Sequence, residues 1–408
     1  QIEEVGNICL AAVGICGPIV TLLSSFGTLV GIGGSIWLSM CLGQKNEKRA
    51  SQILYNSFVM LVVLSLCLTL GFILLKHNLI YWFGGSDVLY PYANTYLTIY
   101  TLGTFFALMS IGLNYFITGQ GYATIAMFSV CIGAITNIIF DFILIRTLKI
   151  GVAGAAIGTV VAQFLSCMFV LCFLRFKSKI KLKKEDLSVD KMKHIVKLGF
   201  SPFLIIASDS VILIVMNMML QKYGGNMGDI YISAITVAQS YFLLITGPLL
   251  GISSGTQPIF AYHFGSQNLK KIKEAFKIVI SFAFLFCLVM FIISMCYSNV
   301  FVAMFTQDLT TMPIAQRAIK IFCLGILMMS IQYVLVDGIT GLSNVKLSLF
   351  LSLNRKLMYL CCTCLLPVFL GVSNIFYAQP IADIYASVVT IICFIKIIPS
   401  YLKSHGVQ

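Results

Sequence analysis

The stretch KSKIKLKKEDLSVDKMKHIVK, residues 177–197, lies almost midway along a chain of 408 residues, and its charged residues outnumber its apolar ones. The chain on either side is strongly apolar. Hydrophobic residues make up 59% of the whole, charged residues 10%, and the mean hydropathy is +0.98. A soluble domain carries about 25% charged residues. The composition therefore indicates an integral membrane protein, and its continuous apolar runs predict an all-α, polytopic bundle in the lipid bilayer.

Working outward from residues 177–197, polar segments divide the chain into eleven predicted membrane spans. Several are longer than a straight crossing of the bilayer needs, so we expect tilt, kinks at Gly or Pro, or extension of the helices beyond the hydrocarbon layer. The predicted spans are 8–42, 51–75, 90–119, 123–146, 150–175, 195–223, 229–264, 274–304, 314–342, 346–370 and 376–402.

The basic residues that give the chain its formal net charge of +13 lie mainly in the loops that join these spans. Of the twenty-seven Lys and Arg residues, twenty-one fall on the side of residues 177–197 and six on the other, with Lys346, Arg355 and Lys356 counted among the twenty-one. The positive-inside rule places the basic side in the cytoplasm, and it explains the charge without a nucleic-acid partner. We therefore expect a multi-pass protein of the cytoplasmic membrane, with the basic stretch and the C-terminus cytoplasmic.

An internal repeat organises the chain. One constant offset in residue number aligns GGS at 33–35 with GTQ at 255–257, GQKN at 43–46 with GSQN at 265–268, and TG at 118–119 with TG at 340–341. The span 195–223 has no partner in the first half, and its partner would lie just before Gln1. The repeat thus predicts two parallel six-helix lobes, with eleven of twelve helices present in this sequence.

The predicted organisation is a five-helix first lobe at 1–176, a cytoplasmic basic linker at 177–197 and a six-helix second lobe at 198–408. Parallel repeats are an architecture of secondary transporters, which alternate access around a cavity between the two halves. We expect functional side chains on the helix faces that line such a cavity.

Intramembrane carboxylates are rare and are functional candidates by default. Asp141 and Asn137 are four residues apart and share one helix face, and Thr159 lies at a similar depth on the next span. Such an all-oxygen set suits a coupling ion, either Na⁺ or a proton on the carboxylate. The alternative is that these groups cap or bridge helices by hydrogen bonds. The repeat offset places Tyr359, Thr363 and Ile381 at the equivalent positions, so the second half lacks the set.

Other polar residues of the spans are candidates for the substrate cavity. The candidates are Asp209, Gln239, Tyr241, Gln332, Asp337 and Asp383. Asp337 lies one turn from a span end, where it could simply be solvated. Asp383 follows Pro380, which disrupts the helix and favours a structural role.

Enzymatic function is not indicated. The sequence contains no Ser/His/Asp or Cys/His arrangement, and its fourteen cysteines are scattered through apolar segments without metal-ligand spacing. The glycines at 31–34 lie inside an apolar helix, where glycine serves close packing. We expect no cofactor beyond the coupling ion.

Several motifs, taken in order, resemble the multidrug and toxic compound extrusion (MATE) family. They are LAAVGICGPI, GIGGSIWLSMCLGQKNEKRA, NYFITGQG with NIIFDFILI, GVAGAAIGT, SPF, and NRK with QPIAD. The resemblance implies twelve helices in two lobes and the export of organic cations in exchange for Na⁺ or H⁺. The family's cation site would map onto Asn114, Asn137, Asp141 and Thr159, and its first-helix Asp would fall upstream of Gln1.

The leading hypothesis is therefore a monomeric antiporter of drug-like or cationic small molecules, with Na⁺ bound at Asp141, Asn137 and Thr159 as one form of the coupling. A lipid-linked precursor flippase with the same doubled architecture is the alternative. It would have a larger and more cationic cavity, whereas the spans read as poor in central Lys and Arg. A channel or structural membrane subunit would need no asymmetric oxygen set.

Overall fold

The computed structural model describes residues 2–82, 87, 89–305 and 310–405. These ranges are almost entirely helical and contain no strand, which confirms the predicted all-helical class. Their α-helices are α1 (Ile2–Gly43), α2 (Glu47–Trp82), α3 (Tyr90–Leu102), α4 (Thr104–Gly119), α5 (Ala123–Asp141), α6 (Val152–Cys172), α7 (Val189–Gly224), α8 (Gly228–Gly265), α9 (Leu269–Phe305), α10 (Thr311–Cys323), α11 (Ile326–Gly341), α12 (Val345–Leu370) and α13 (Ala378–Ser404). Single π-helical segments, Phe142–Thr147 and Phe173–Lys177, extend α5 and α6.

Most of these helices are membrane-spanning by length and composition. In the described part of the chain, eight segments are long and apolar enough to cross a bilayer. Two bent pairs, α3 with α4 at 55° and α10 with α11 at 49°, raise the number to ten when each pair is one span. These ten correspond to ten of the eleven predicted spans. The remaining one, 195–223, lies in α7, which this count does not include.

The two bends occur at equivalent glycines, Gly103 and Gly325, which the repeat offset places on each other. A Cβ on Gly103 would lie 2.5 Å from Cγ2 of Val160 in α6, and one on Gly325 would lie 3.0 Å from Cα of Pro380 in α13. Each bend therefore depends on a glycine that lets the last helix of its repeat pack closely. In the long span 90–119, a bend at Gly103 is thus the one of the expected adjustments that the structure contains.

The turns between helices also recur at the same offset. Lys45 after α1 has φ 59° and Gln267 after α8 has φ 56°, while Gly121 after α4 has φ 89° and Ser343 after α11 has φ 64°. Positive φ is uncommon for residues other than glycine. Left-handed residues at matched positions show that the repeat read from the sequence is a repeat of backbone conformation.

The described contacts divide the chain into two units, Gln1–Ala207 and Ser208–Gln408. The division falls within α7, so the first half of this helix packs with the N-terminal unit, beyond the predicted linker end at 197. Glycines explain the packing, because a Cβ on Gly199 would collide with the carbonyl oxygen of Leu29 in α1. The backbones of α1 and α7 are in direct contact there.

The basic stretch is attached to the N-terminal unit through its backbone. The Gln120 side chain accepts from the N–H of Ile180 at 2.7 Å and donates to its carbonyl at 3.3 Å. Asn56, which is fully buried in α2, donates to the carbonyl of Asp186 at 3.0 Å and accepts from the N–H of Ser188 at 2.9 Å. Two side-chain amides therefore fix the course of the linker, while lysines such as Lys183 are exposed.

Replacing Asn56 with Ala should lower the melting temperature of the purified protein, because the N–H of Ser188 and the carbonyl of Asp186 lose their partner. Leaving a buried polar group unsatisfied costs about 1–3 kcal/mol, and the loss here should be at the low end of that range, because Asp186 is exposed and Ser188 is half-buried. The exposed Lys183→Gln variant is the matched control and should melt as the wild type does. Equal melting temperatures for Asn56→Ala and the wild type would show that the linker is not fixed through this amide.

One part of the charge assignment is wrong. Arg355 and Lys356 were counted as cytoplasmic loop charges, but both lie buried within α12. Arg355 pairs with Asp383 and Lys356 with Asp209, and each acid is on another helix. The sequence of α12 alone does not display these partners. Removing both from the count leaves nineteen basic residues against six, so the predicted orientation is unaffected.

Candidate functional site

The predicted oxygen set lies where α5 packs against α6 in the N-terminal unit. Asn137 and Asp141 occupy the last turn of α5, and Asp141 is its final residue before the π-helical segment Phe142–Thr147. Thr159 faces them from α6, and the Asn137 amide donates to its hydroxyl at 3.4 Å. The sequence-based proximity of Asn137 and Thr159 is therefore present in the structure.

Asp141 packs against a glycine of α6. A Cβ on Gly158 would lie only 2.5 Å from Oδ1 of Asp141. The carboxylate therefore occupies the space that the side chain of any residue other than glycine at position 158 would fill. That oxygen is buried and has no hydrogen-bond partner among the described residues. A buried acceptor without a donor is costly unless a cation or a proton binds it.

A cavity of about 430 Å³ in the N-terminal unit is lined by three of the four residues predicted for the ion site: Asn114, Asn137 and Thr159. Asp141, the fourth, is not among its lining residues. The side-chain oxygen of Asn114 is buried and, within the described ranges, lacks a hydrogen-bond partner. Buried oxygen atoms that could accept a hydrogen bond or bind a cation are therefore present both on α4, at Asn114, and on α5, at Asp141.

Sequence reasoning missed Gln163, which also lines this cavity. Its amide nitrogen donates to the hydroxyl of Tyr100 at 3.1 Å, and that hydroxyl lies 3.4 Å from Oγ of Ser24. The Gln163 oxygen has no partner in the described part of the chain. The spacing of four residues from Thr159 puts Gln163 on the same face of α6, and this signal was available in the sequence.

If the protein is the exporter that its sequence motifs predict, a Gly158→Ala variant is expected to lose most drug export while remaining folded. The added methyl would meet the end of a flexible side chain, so the carboxylate is displaced and the backbones need not separate. Resistance of cells to a toxic organic cation, with membrane abundance measured in parallel, tests this. Gly71→Ala in α2 is the control, because no atom lies within 4 Å of the added Cβ and Gly71 is not among the residues that line this cavity. Full resistance in Gly158→Ala would show that the carboxylate position is unimportant.

A second cavity, of about 320 Å³, lies within the C-terminal unit. Its polar lining comprises Asp209, Gln239, Thr246, Tyr333, Arg355, Lys356, Tyr359 and Gln379. Asp209 and Gln239 are therefore cavity residues, and Asp209 forms an ion pair with Lys356. Tyr359, at the position equivalent to Asn137, replaces an amide with a phenol.

Asp383 has a structural environment. Its side chain is 0% exposed and accepts from Arg355 Nε at 2.8 Å and from Gln379 Nε2 at 2.8 Å. Arg355, 9% exposed, also donates to the hydroxyl of Tyr333 at 3.0 Å. Both carboxylate oxygens are occupied, so this acid fixes α12, α11 and α13 together, and it is not among the residues that line the second cavity.

The other substrate-cavity candidates are also not among the lining residues of these two cavities. Tyr241 is buried and its hydroxyl lies 2.9 Å from Oγ of Ser294. Gln332 is buried in α11. Asp337, which the sequence left open to solvation, is partly buried and accepts from the amide of Gln257 at 2.8 Å.

The described residues contain no group of three His, Cys, Asp or Glu side chains arranged as metal ligands. An ion at Asp141 would rely on amide and hydroxyl oxygens, which suit hard cations such as Na⁺. The oxygen set fits such an ion better than it fits a transition metal.

Two repeated helical units that span a membrane, each with polar side chains around an internal cavity, define a polytopic transporter of the parallel-repeat class. The MatE family model matches residues 2–143 and 206–362, which is most of the chain. The chain belongs to the MatE family and is thus a multi-pass membrane transporter of the multidrug efflux type.

A curated relative agrees with this assignment, and solved structures share the fold. The multidrug export protein MepA of Staphylococcus haemolyticus (strain JCSC1435) is 27% identical over 332 residues, which cover 79% of this chain and 71% of that protein. A crystal structure of a MATE protein in the bent conformation has a TM-score of 0.90 at 22% identity and covers 99% of this chain and 90% of its own. A MOP superfamily transporter from Pyrococcus furiosus Vc1 (DSM3638), described as having a binding pocket of reversed polarity that suggests a different function, has a TM-score of 0.92 at 20% identity, over 100% of this chain and 90% of its own.

Proposed function

We propose that this protein is an antiporter of the cell membrane that expels drug-like organic cations in exchange for Na⁺ or H⁺ by alternating access. The observation that carries the proposal is the set of free acceptors in the N-terminal unit, where Asp141 and Asn114 each keep a buried oxygen without a hydrogen-bond partner among the described residues. Asn137 and Thr159 complete the coupling site. The drug export ascribed to the MepA relative supports the substrate class.

Coupling does not require the ion and the drug to touch. An ion bound at Asp141 shifts the conformational equilibrium only by its differential affinity for the two states, and the drug does the same with the opposite preference. Ion binding favours the outward-open state that releases drug, and drug binding favours loss of the ion. The basic linker and the C-terminus are cytoplasmic in this scheme, as the charge count predicts.

A flippase for lipid-linked precursors is the second candidate, because the C-terminal cavity contains Arg355 and Lys356, which the sequence count had placed in a loop. The reversed pocket polarity described for the Pyrococcus transporter shows that related folds carry other polarities. Here, however, each base is paired with an acid, Asp383 or Asp209. The four charges sum to zero. This favours a cavity that binds neutral molecules or exchanges cations over a cavity that binds anions.

Dye efflux separates the candidates. Cells that express the full-length protein are loaded with ethidium, and efflux is followed with and without an imposed Na⁺ or pH gradient. An antiporter gives efflux that rises with one of the gradients. A flippase gives no gradient-dependent dye efflux, and a channel dissipates an ion gradient without moving dye against its own. Absence of gradient-driven efflux would overturn the proposal.

A further inference from the structure

The ion pair between Lys356 and Asp209 in the C-terminal unit is asymmetric in its exposure. The Lys356 side chain is 11% exposed, whereas that of Asp209 is 60% exposed. Both residues line the cavity of about 320 Å³. The Lys356 side chain on α12 is confined by its burial. The exposed Asp209 carboxylate on α7, in contrast, has room to rotate towards a second partner.

Asp209 is the one carboxylate among the described residues that line this cavity. Asp383 is closed off by Arg355 and Gln379, which occupy both of its oxygens. The cavity therefore offers a single anionic group to a ligand.

The remaining wall suits an organic cation. Four aromatic side chains, Phe242, Phe322, Tyr333 and Tyr359, line the cavity together with Ile212, Leu243 and Leu250. Aromatic faces attract cations, and apolar side chains accommodate their hydrocarbon parts. At present the cation that Asp209 binds is the ammonium of Lys356.

We propose that the Lys356 ammonium is a built-in competitor of the substrate: an organic cation binds to Asp209 only when Lys356 has released its proton. The exchange balances, because one proton leaves the Lys356 nitrogen for water, the neutral amine stays in the cavity wall, and one cation takes its place on the Asp209 carboxylate. The inference rests on the proposed function for its substrate class, and it adds a proton-coupled step distinct from the ion site at Asp141.

For electrostatic reasons, Asp209 cannot bind an organic cation while Lys356 remains protonated. The charged and titratable groups around Lys356 are Asp209 of α7, Arg355 and Tyr359 of α12, Tyr333 of α11 and Asp383 of α13. Arg355 and Asp383 compensate each other. If Asp209 turned to a substrate while Lys356 kept its proton, a buried ammonium would be left unpaired beside a guanidinium, an arrangement that burial strongly disfavours.

The test measures ethidium binding to the purified full-length protein between pH 6 and 9. For the wild type, we expect the apparent affinity to rise up to about tenfold per pH unit, because one proton is released for each cation bound. In the Asp141→Asn background, where the ion site holds no exchangeable proton, Lys356→Met, which removes the competitor, should bind ethidium tightly and without pH dependence. Lys356→Arg keeps a charge that cannot be lost and should bind weakly at every pH.

A purely structural ion pair predicts the opposite order. In that case Lys356→Arg would bind as the wild type does, and Lys356→Met, with a lost partner, would bind less; this order would overturn the inference. Lys346→Met, an exposed lysine of the same helix, is the control and should retain the wild-type slope. Asp209→Asn should weaken binding in every background.

The two proposals fail separately. If the wild type does not export ethidium from cells, the proposed function is wrong. If it exports ethidium but Lys356→Arg retains pH-dependent binding in the Asp141→Asn background, only the role of Lys356 is wrong. Asp141→Asn should still release a proton on binding ethidium in a weakly buffered solution, whereas the double variant Asp141→Asn with Lys356→Met should release none.

Discussion

An Asp141→Asn variant is expected to reduce drug resistance to the level of cells without the transporter. The amide has nearly the shape of the carboxylate, so the packing against Gly158 is retained. It carries no negative charge and cannot hold an exchangeable proton, so it loses affinity for either coupling ion. Minimum inhibitory concentrations and ethidium efflux measure the effect, and the abundance of the protein in membranes should stay unchanged.

Asp190→Asn is the matched control for this variant, because Asp190 is an exposed acid in the first turn of α7. It should leave resistance intact. The Asp141 oxygen facing Gly158 accepts no hydrogen bond in the described part of the chain, so a loss of function cannot be attributed to a broken helix bridge at that atom. Normal export by Asp141→Asn would show that the oxygen set is only a structural contact between α5 and α6.

Asp383→Ala is expected to destabilise the C-terminal unit strongly. The change leaves the Arg355 guanidinium, 9% exposed, without its carboxylate, and it leaves the Gln379 amide without an acceptor. Removing one partner of a buried ion pair costs about 3–5 kcal/mol. The melting temperature in detergent should fall by several degrees and the yield of folded protein should decrease.

Two further variants separate charge from packing at Asp383. Asp383→Asn keeps an oxygen for Arg355 but removes the charge, so its melting temperature should lie between those of Asp383→Ala and the wild type. The double change Asp383→Leu with Arg355→Met removes both charges and should recover most of the stability lost in the alanine variant. An alanine variant that melts with the wild type would contradict the structural role.

Most of the fold can be predicted from the sequence, because the patterns that indicate it are local. Apolar runs define the helices, and the repeat offset correctly pairs Gly103 with Gly325, where both bends occur. The proximity of Asn137 to Thr159 was also predictable, since it depends on helix period and depth alone.

The remaining features depend on how helices are rotated against each other. The contact of Asp141 with Gly158 and the burial of Arg355 and Lys356 require partners on other helices. Positive-inside counting treats a basic residue near a span end as a loop charge, and it has no information on an acid such as Asp383 one helix away. The division of the chain inside α7 likewise follows from contacts of Gly199 that no local pattern announces.

The two units have the same backbone plan but different chemistry. In α12, Thr363 stands at the position of Asp141 and bonds only to the Tyr359 carbonyl of its own helix at 2.8 Å, among the contacts described. Arg355 and Lys356 occur where α5 has Gly133 and Ala134. At these equivalent positions the N-terminal unit thus keeps a free oxygen acceptor, and the C-terminal unit keeps paired charges, although Asp337 and Gln332 of the C-terminal unit also have a buried oxygen without a partner among the described residues. This asymmetry is the basis for assigning ion coupling to the first unit.

Ion flux driven by a substrate gradient tests the central claim most directly. The full-length protein is reconstituted in liposomes, an ethidium gradient is imposed, and the movement of Na⁺ and of protons in the opposite direction is recorded. The account predicts counterflow of one of these ions in the wild type and none in Asp141→Asn. Equal counterflow in both proteins, or substrate movement without any counterflow in the wild type, would contradict it.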